Sequence, residues 1–257
     1  MALSLKDLRS STMLQPPFAV IYGGPGVGKT TFGASAPAPV FLLTEDGLGL
    51  LDAPHFPLIR SYDQFMEAIG ALYSEEHEFE TCVIDSADRL EPLIWAETCR
   101  RNNWTDLEQP GFGKGYLATL PVWNDALDGL KALRSDRNMA VVLIAHHEIK
   151  RFDSPETEGY DRYQIKLHRR AADLIQEQVD LILFAGWKVS TVKGDAAKPG
   201  QKGATRGVGR GERVLYTEER PAFVAKNRYS LPPELPLDWN ALSAAMQASI
   251  SPADASA

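Results

Sequence analysis

The chain is poor in cysteine: among 257 residues there are only Cys82 and Cys99. Cys82 falls in an apolar stretch that reads as a buried strand, so no disulfide framework is expected. A reducing compartment, the cytoplasm, is the simplest setting. Long apolar runs are also missing. No stretch reaches the 18 consecutive apolar residues that would span a bilayer, and residues 1–17 lack a signal-peptide core. Positive charge is in deficit as well. Lys and Arg number 27 against 34 Asp and Glu, a net charge of -7. That excludes a surface basic all over, but not a local basic track for nucleic acid. Internal repeats are not evident. What remains is material for a core: hydrophobic residues are 44% and charged residues 24%. The length suits one α/β domain with short appendages.

One segment is unusually specific. Gly23, Gly24, Pro25, Gly26, Val27, Gly28, Lys29, Thr30 and Thr31 fit the G-x-x-x-x-G-K-[ST] phosphate loop. Its glycines let successive backbone N–H groups face one concavity, which suits a triphosphate. Lys29 would reach the β- and γ-phosphates, and the Thr30 hydroxyl would ligate Mg²⁺. The apolar run Phe18–Tyr22 before it and the helix-compatible Lys29–Ala34 after it supply the strand–turn–helix setting the motif requires. ATP and Mg²⁺ are the cofactors implied.

Alternating patterns run along the rest of the chain. Strands are expected near 18–22, 39–44, 56–60, 80–85, 139–145 and 179–186, with a late pair near 213–217 and 222–226. Helices are expected at 29–35, 62–73, 88–102, 116–134 and 167–178. This order implies an α/β fold, a mostly parallel sheet with helices on both faces and a small antiparallel C-terminal extension. Residues 1–17 read as a lead-in with a short helix near Leu3–Leu8. Residues 18–240 read as the ATPase domain, and 241–257 as a helix remnant with a disordered tail. Segments 103–115 and 188–213 read as loops. The second holds seven basic and two acidic residues, a local net charge of +5 in an acidic chain.

Three further positions complete a hydrolytic constellation. Asp85 ends the apolar run Thr81–Ile84 and is placed to hold the metal's water shell, as a Walker-B Asp does. Ser86 follows it, so a water-orienting carboxylate must come from elsewhere. Glu45, at the end of the strand after the phosphate loop's helix, is the first choice, with Asp46 its neighbouring competitor. His146 and His147 close the apolar strand Val141–Ala145. The first is expected to face the γ-phosphate as a sensor. As a metal pair they are disfavoured, because adjacent strand residues point to opposite faces.

Together these features resemble the RecA-type ATPase core. Within that group the chain is most similar to phage-encoded nucleotide-binding proteins of single-strand annealing and recombination, which would place it in a host's cytoplasm. The similarity spans roughly residues 17–240. Where RecA relatives usually carry Gln as sensor, this chain has His146. The resemblance implies ATP hydrolysis stimulated by DNA, in a ring or filament of identical subunits with ATP at their interfaces, and a single-strand-binding protein as a further partner. It implies that segments 103–115 and 148–166 meet single-stranded DNA, through Phe112, Lys114, Lys150, Arg151, Arg162 and Lys166. It also implies that Lys226 and Arg228 reach a neighbouring subunit's ATP site and stabilise charge there. The competing readings are a hexameric motor of the replicative-helicase type, a small-molecule P-loop kinase and a nucleotide switch. The short N-terminal segment disfavours the motor, and a kinase would need 188–213 to act as a lid.

Overall fold

The computed structural model describes residues 15–155, 158–193 and 205–250. In chain order the elements are β1 (Phe18–Gly23), α1 (Lys29–Ala34), β2 (Pro39–Leu43), α2 (Tyr62–Ser74), β3 (Thr81–Asp85), α3 (Ala87–Asn102), α4 (Lys114–Arg137), β4 (Ala140–Phe152) and β5 (Tyr160–Ile165). They continue with α5 (Arg169–Gln178), β6 (Leu181–Lys193), β7 (Thr205–Tyr216), β8 (Lys226–Asn227), β9 (Glu234–Pro236) and α6 (Trp239–Ile250). The sheet order is β2-β3-β4-β1-β6-β7-β9, with β5 paired to β4 and β8 to β6. Strands β2, β3, β4, β1 and β6 are mutually parallel, and the later strands add antiparallel. This is the α/β architecture expected, a mostly parallel sheet with helices on both faces and an antiparallel extension.

The central strands are apolar on both faces because helices cover both. On β1, Phe18, Val20 and Tyr22 enter one core with residues of α2, α3, α4 and α5. Ala19 and Ile21 enter the other, with Phe32 of α1 and Trp239, Leu242 and Met246 of α6. This period of two along β1 fixes its register between β4 and β6. In that register Gly23 pairs with both His146 and Ala185, so the phosphate loop leaves the sheet level with the ends of its two neighbours. On β3, Asp85 pairs with Ile144. The carboxyl edge of the sheet thereby gathers the loop, Asp85 and His146.

Several expectations are corrected. Residues 56–60 form no strand. They run beside β2 through isolated bonds such as Phe56 N to the Phe41 carbonyl and Ile59 N to the Leu43 carbonyl, because Pro54 and Pro57 lack the N–H groups a ladder needs. Segment 148–166 is a hairpin rather than a loop: β4 continues to Phe152 and pairs with β5 from His147↔Ile165 to Phe152↔Tyr160. Segment 188–213 likewise belongs largely to a β6–β7 arm, paired from Trp187↔Arg213 out to Lys193↔Thr205, with residues 194–204 outside the described residues. The strand expected at 222–226 is reduced to β8, and Ala222–Ala225 is pinned instead by the Tyr22 hydroxyl, which donates to the Val224 carbonyl at 2.6 Å and accepts from Val224 N at 2.9 Å. The helix near Leu3–Leu8 and the tail beyond residue 250 lie outside the described residues.

Candidate nucleotide site

A cavity of about 440 Å³ opens at the carboxyl edge, lined by the phosphate loop, Glu45, Asp46, Asp85, His146 and Arg213. The loop's glycines have separate reasons. Gly26 and Gly28 have φ of 72° and 109°, where a side chain is strained. At Gly23 a Cβ would collide with the Ala185 carbonyl of β6, so the loop can leave the sheet only without one. Gly28 offers no side-chain cap to α1, which leaves the main-chain amides of that turn directed at the cavity. Lys29 is 6% exposed, and its ammonium donates to the Gly23 and Gly24 carbonyls at 3.1 and 2.9 Å. Burial lowers its pKa, opposed by the charges of Asp85, Asp88 and Glu45. A buried cation held only by carbonyls is one that an anion would stabilise.

The Thr30 hydroxyl donates to Asp85 Oδ2 at 2.9 Å. Burial raises the Asp85 pKa, and the Thr30 hydrogen bond works against it. A hydroxyl and a desolvated carboxylate side by side are hard oxygen donors of the kind Mg²⁺ takes together with phosphate oxygens and water. Among the described residues no cluster of three or more His, Cys, Asp or Glu could hold a metal alone. Thr30 and Asp85 therefore fit a metal delivered with the nucleotide, which would neutralise phosphate charge when bound. The Thr44 hydroxyl braces this strand end, accepting from Ser86 N at 2.9 Å and donating to the Ser86 carbonyl at 2.7 Å.

Glu45 and His146 are both steered by the first turn of α3. Arg89 Nε donates to Glu45 Oε2 at 3.3 Å, turning the carboxylate along the cavity wall. Asp88 accepts from His146 N at 2.9 Å and lies 3.2 and 3.0 Å from His146 Nδ1 through its two oxygens. With Asp88 ionised, Nδ1 donates and Nε2 is the ring nitrogen left for a ligand. His147 faces away from this cavity wall, packing edge-on to Tyr163 at 4.8 Å and beside Gly24. His146, not His147, is the histidine of the cavity. Asp88 and Arg89 were missed from sequence; their signal was an acid and a base in the first turn after the Asp85–Ser86 strand end.

The remaining candidates fall elsewhere. Lys226 and Arg228 are at the opposite edge of the sheet, where Lys226 pairs with Ile182 at the start of β6. Lys226 Nζ donates to the carbonyls of Gln176 and Glu177 at 2.6 and 3.2 Å. Arg228 donates to Asp180 Oδ1 at 3.3 Å and the Glu177 carbonyl at 3.2 Å. Reaching a neighbour would require releasing these bonds. Arg162, also expected to meet a DNA strand, is turned into the protein. It is 6% exposed, pairs with Glu219 at 2.8 Å, and sits over the Phe152 ring. Lys150 pairs with Glu148 at 2.6 Å, and Arg151 and Lys166 are exposed. Phe112 is fully exposed, next to an exposed Lys114.

A second cleft, also of about 440 Å³, lies behind the same turn of α3 and is lined by Asp88, Arg89, Glu91, Trp95, Lys150 and Lys166, among others. Tyr116 stacks on His168 with centroids 4.3 Å apart and planes 7° apart, and Trp95 meets Tyr116 edge-on at 5.6 Å. Glu91 at the cleft floor accepts from His168 N at 3.0 and 3.1 Å. Burial nonetheless raises its pKa to about 7. Trp95, Glu91 and His168 carried no motif, so the sequence did not mark them.

A protein-family model of the AAA domain matches residues 15–229. The chain belongs to this AAA domain family. As an AAA-domain P-loop protein it is an ATPase. No curated protein matches. Among solved structures the RadB recombinase is similar, at 16% identity over 82% of this chain and 86% of that one, with a TM-score of 0.43.

Two outcomes follow from this geometry. Glu45→Gln is expected to lower ATP turnover about a hundredfold or more while leaving ATP affinity intact, as measured by phosphate release and equilibrium titration. Glu91 gives a pH signature. Its folded pKa of about 7 exceeds the 4.5 of an unperturbed glutamate, so the folded chain keeps a proton that the unfolded chain has lost. Stability should therefore fall as pH rises through that window. Glu91→Gln should remove this penalty and gain up to about 3 kcal/mol over the parent above pH 7, read from urea melts at a series of pH values.

Proposed function

We propose that the protein is an ATP-dependent, single-stranded-DNA-binding ATPase of recombination or annealing, acting as an oligomer. The observation that carries this reading is the shared wall between the nucleotide cavity and the aromatic cleft. Asp88 lines the cleft and orients His146; Arg89 lines the cleft and orients Glu45. An occupant of the cleft thus bears on both groups that meet the γ-phosphate end of the nucleotide.

The cleft's chemistry suits an unpaired strand. The Tyr116–His168 stack and Trp95 offer ring faces to bases, while Lys150, Lys166 and Arg89 offer charge to phosphates. An adjoining cavity of about 460 Å³ continues past Tyr116 and His168 to Arg169 and Arg170, lengthening the track. Exposed Phe112 stands in the turn before α4 and exposed Lys114 at its first position, either side of Gly113 of that cavity. The strand-contacting set is therefore Phe112, Lys114, Tyr116, Lys150, Lys166 and His168, with Arg151 at the hairpin. Cations and rings without a fixed hydrogen-bond pattern favour binding that ignores sequence.

The test pairs two measurements. Single-stranded DNA is expected to stimulate ATP hydrolysis, and a labelled oligonucleotide should bind with an affinity that falls steeply with salt. Tyr116→Ala should weaken strand binding between about fivefold and a hundredfold, the worth of one stacked base, without changing ATP affinity. Light scattering with ATP and DNA should show assembly beyond the monomer. No stimulation, together with no oligonucleotide binding at low salt, would remove the DNA reading and leave the ATPase.

A further inference from the structure

The basic residues of the β6–β7 arm were read from sequence as a loop, yet one of them enters the nucleotide cavity. Gly23 pairs with Ala185, so β6 passes the phosphate loop at the sheet's edge. Two residues further on is Trp187, whose partner on the returning β7 is Arg213. The register slips between Trp187 and Val189, and the arm's backbone turns there. Arg213 consequently projects over the loop. A Cβ built on Gly28 would lie 2.8 Å from Arg213 Nη1, and Arg213 lines the cavity with Lys29, Thr30 and Thr31. Its guanidinium rests on the Trp187 ring, 5.3 Å from the centroid.

The charges around Arg213 point the same way. Its neighbours are spoken for: Lys188 pairs with Glu212 at 4.0 Å and with Glu234 at 3.7 Å, and Arg220 pairs with Glu234 at 2.8 Å. Among the described residues no carboxylate lies within ion-pair distance of Arg213 itself. The cavity wall meanwhile carries Glu45, Asp46 and Asp85 against the single ammonium of Lys29. A magnesium triphosphate remains anionic, so a second cation is needed to offset it. Lys226 and Arg228 lie at the far edge and are bonded within the chain.

We infer that Arg213 is a phosphate-binding cation of this chain's own nucleotide site, serving in cis and leaving Trp187 to touch the bound polyphosphate. This rests on the assignment of the cavity to a magnesium triphosphate. A side chain at Gly28 would meet the guanidinium, which would have to swing aside. Phosphate binding by Arg213 also makes Trp187 an intrinsic reporter, because its cation–π partner departs when nucleotide arrives.

The test uses the full chain and a fluorescent ATP analogue. Arg213→Gln should weaken analogue binding about tenfold or more, Arg213→Lys should fall between it and the parent, and both should melt with the parent. The parent's emission should change on adding magnesium ATP, and Trp187→Phe should abolish that change. Mixing decides between cis and trans. Equimolar Arg213→Gln and Lys29→Ala chains should hydrolyse ATP no faster than the two separately, because neither has a complete site. Recovery of activity in the mixture would show that the arginine serves a neighbour and overturn the cis assignment. Unchanged affinity in Arg213→Gln would overturn the site altogether. Failure of the underlying nucleotide assignment is separate: the parent itself would ignore magnesium nucleotides, and Lys29→Ala would match it.

Discussion

The hydrogen bond from Thr30 to Asp85 ties the first turn of α1, which follows β1, to the end of β3, a strand that is not a neighbour of β1. Strand β4 lies between β1 and β3, and its end supplies His146. The bond therefore exists only if all three strands are in register at the carboxyl edge. Burial of both sheet faces enforces that register, because a slip by one residue would turn Phe18, Val20 and Tyr22 out of their core. The geometry of the cavity is in this sense a consequence of apolar packing. The loop, Asp85 and His146 are brought together by strands packed into the two apolar cores.

The first turn of α3 transmits this order outward. Asp88 and Arg89 are adjacent, yet one holds His146 and the other holds Glu45. Both also face the aromatic cleft. The N-terminus of α3 follows directly on Asp85 and Ser86, and Thr44 fixes the latter through two hydrogen bonds. A strand end, a braced turn and two charged side chains thus connect the phosphate-loop cavity to the aromatic cleft. The β6–β7 arm reaches the same cavity through Arg213.

The phosphate loop, the parallel core and the helices were legible because each rests on local patterning: glycine spacing, short apolar runs, and a helical period. Glu45, Asp85 and His146 were legible because each ends an apolar run, and a run that ends in a polar residue marks the sheet's edge. What was not legible depended on pairing over distance. The hairpins at β4–β5 and β6–β7 read as loops because their sequences are largely polar or glycine-rich, and the strand pairing that orders them, with contacts such as Tyr163 on Phe184, joins residues far apart in the chain. Arg162 read as a surface cation because nothing nearby in sequence announces Glu219 or the Arg220 and Phe223 carbonyls that bury it. Arg213 was counted in a charge total, while its position followed from a register that only the fold reveals.

The account's central claim is that Thr30 and Asp85 present a metal to a triphosphate seated on the loop. Calorimetric titration of ATP with and without magnesium, on the parent and on Thr30→Ala and Asp85→Asn, tests it most directly. Magnesium should tighten ATP binding in the parent by well over tenfold and by little in either variant, with all three chains melting alike. An affinity in the parent that is indifferent to magnesium, or variants that respond to it as strongly as the parent, would contradict the claim.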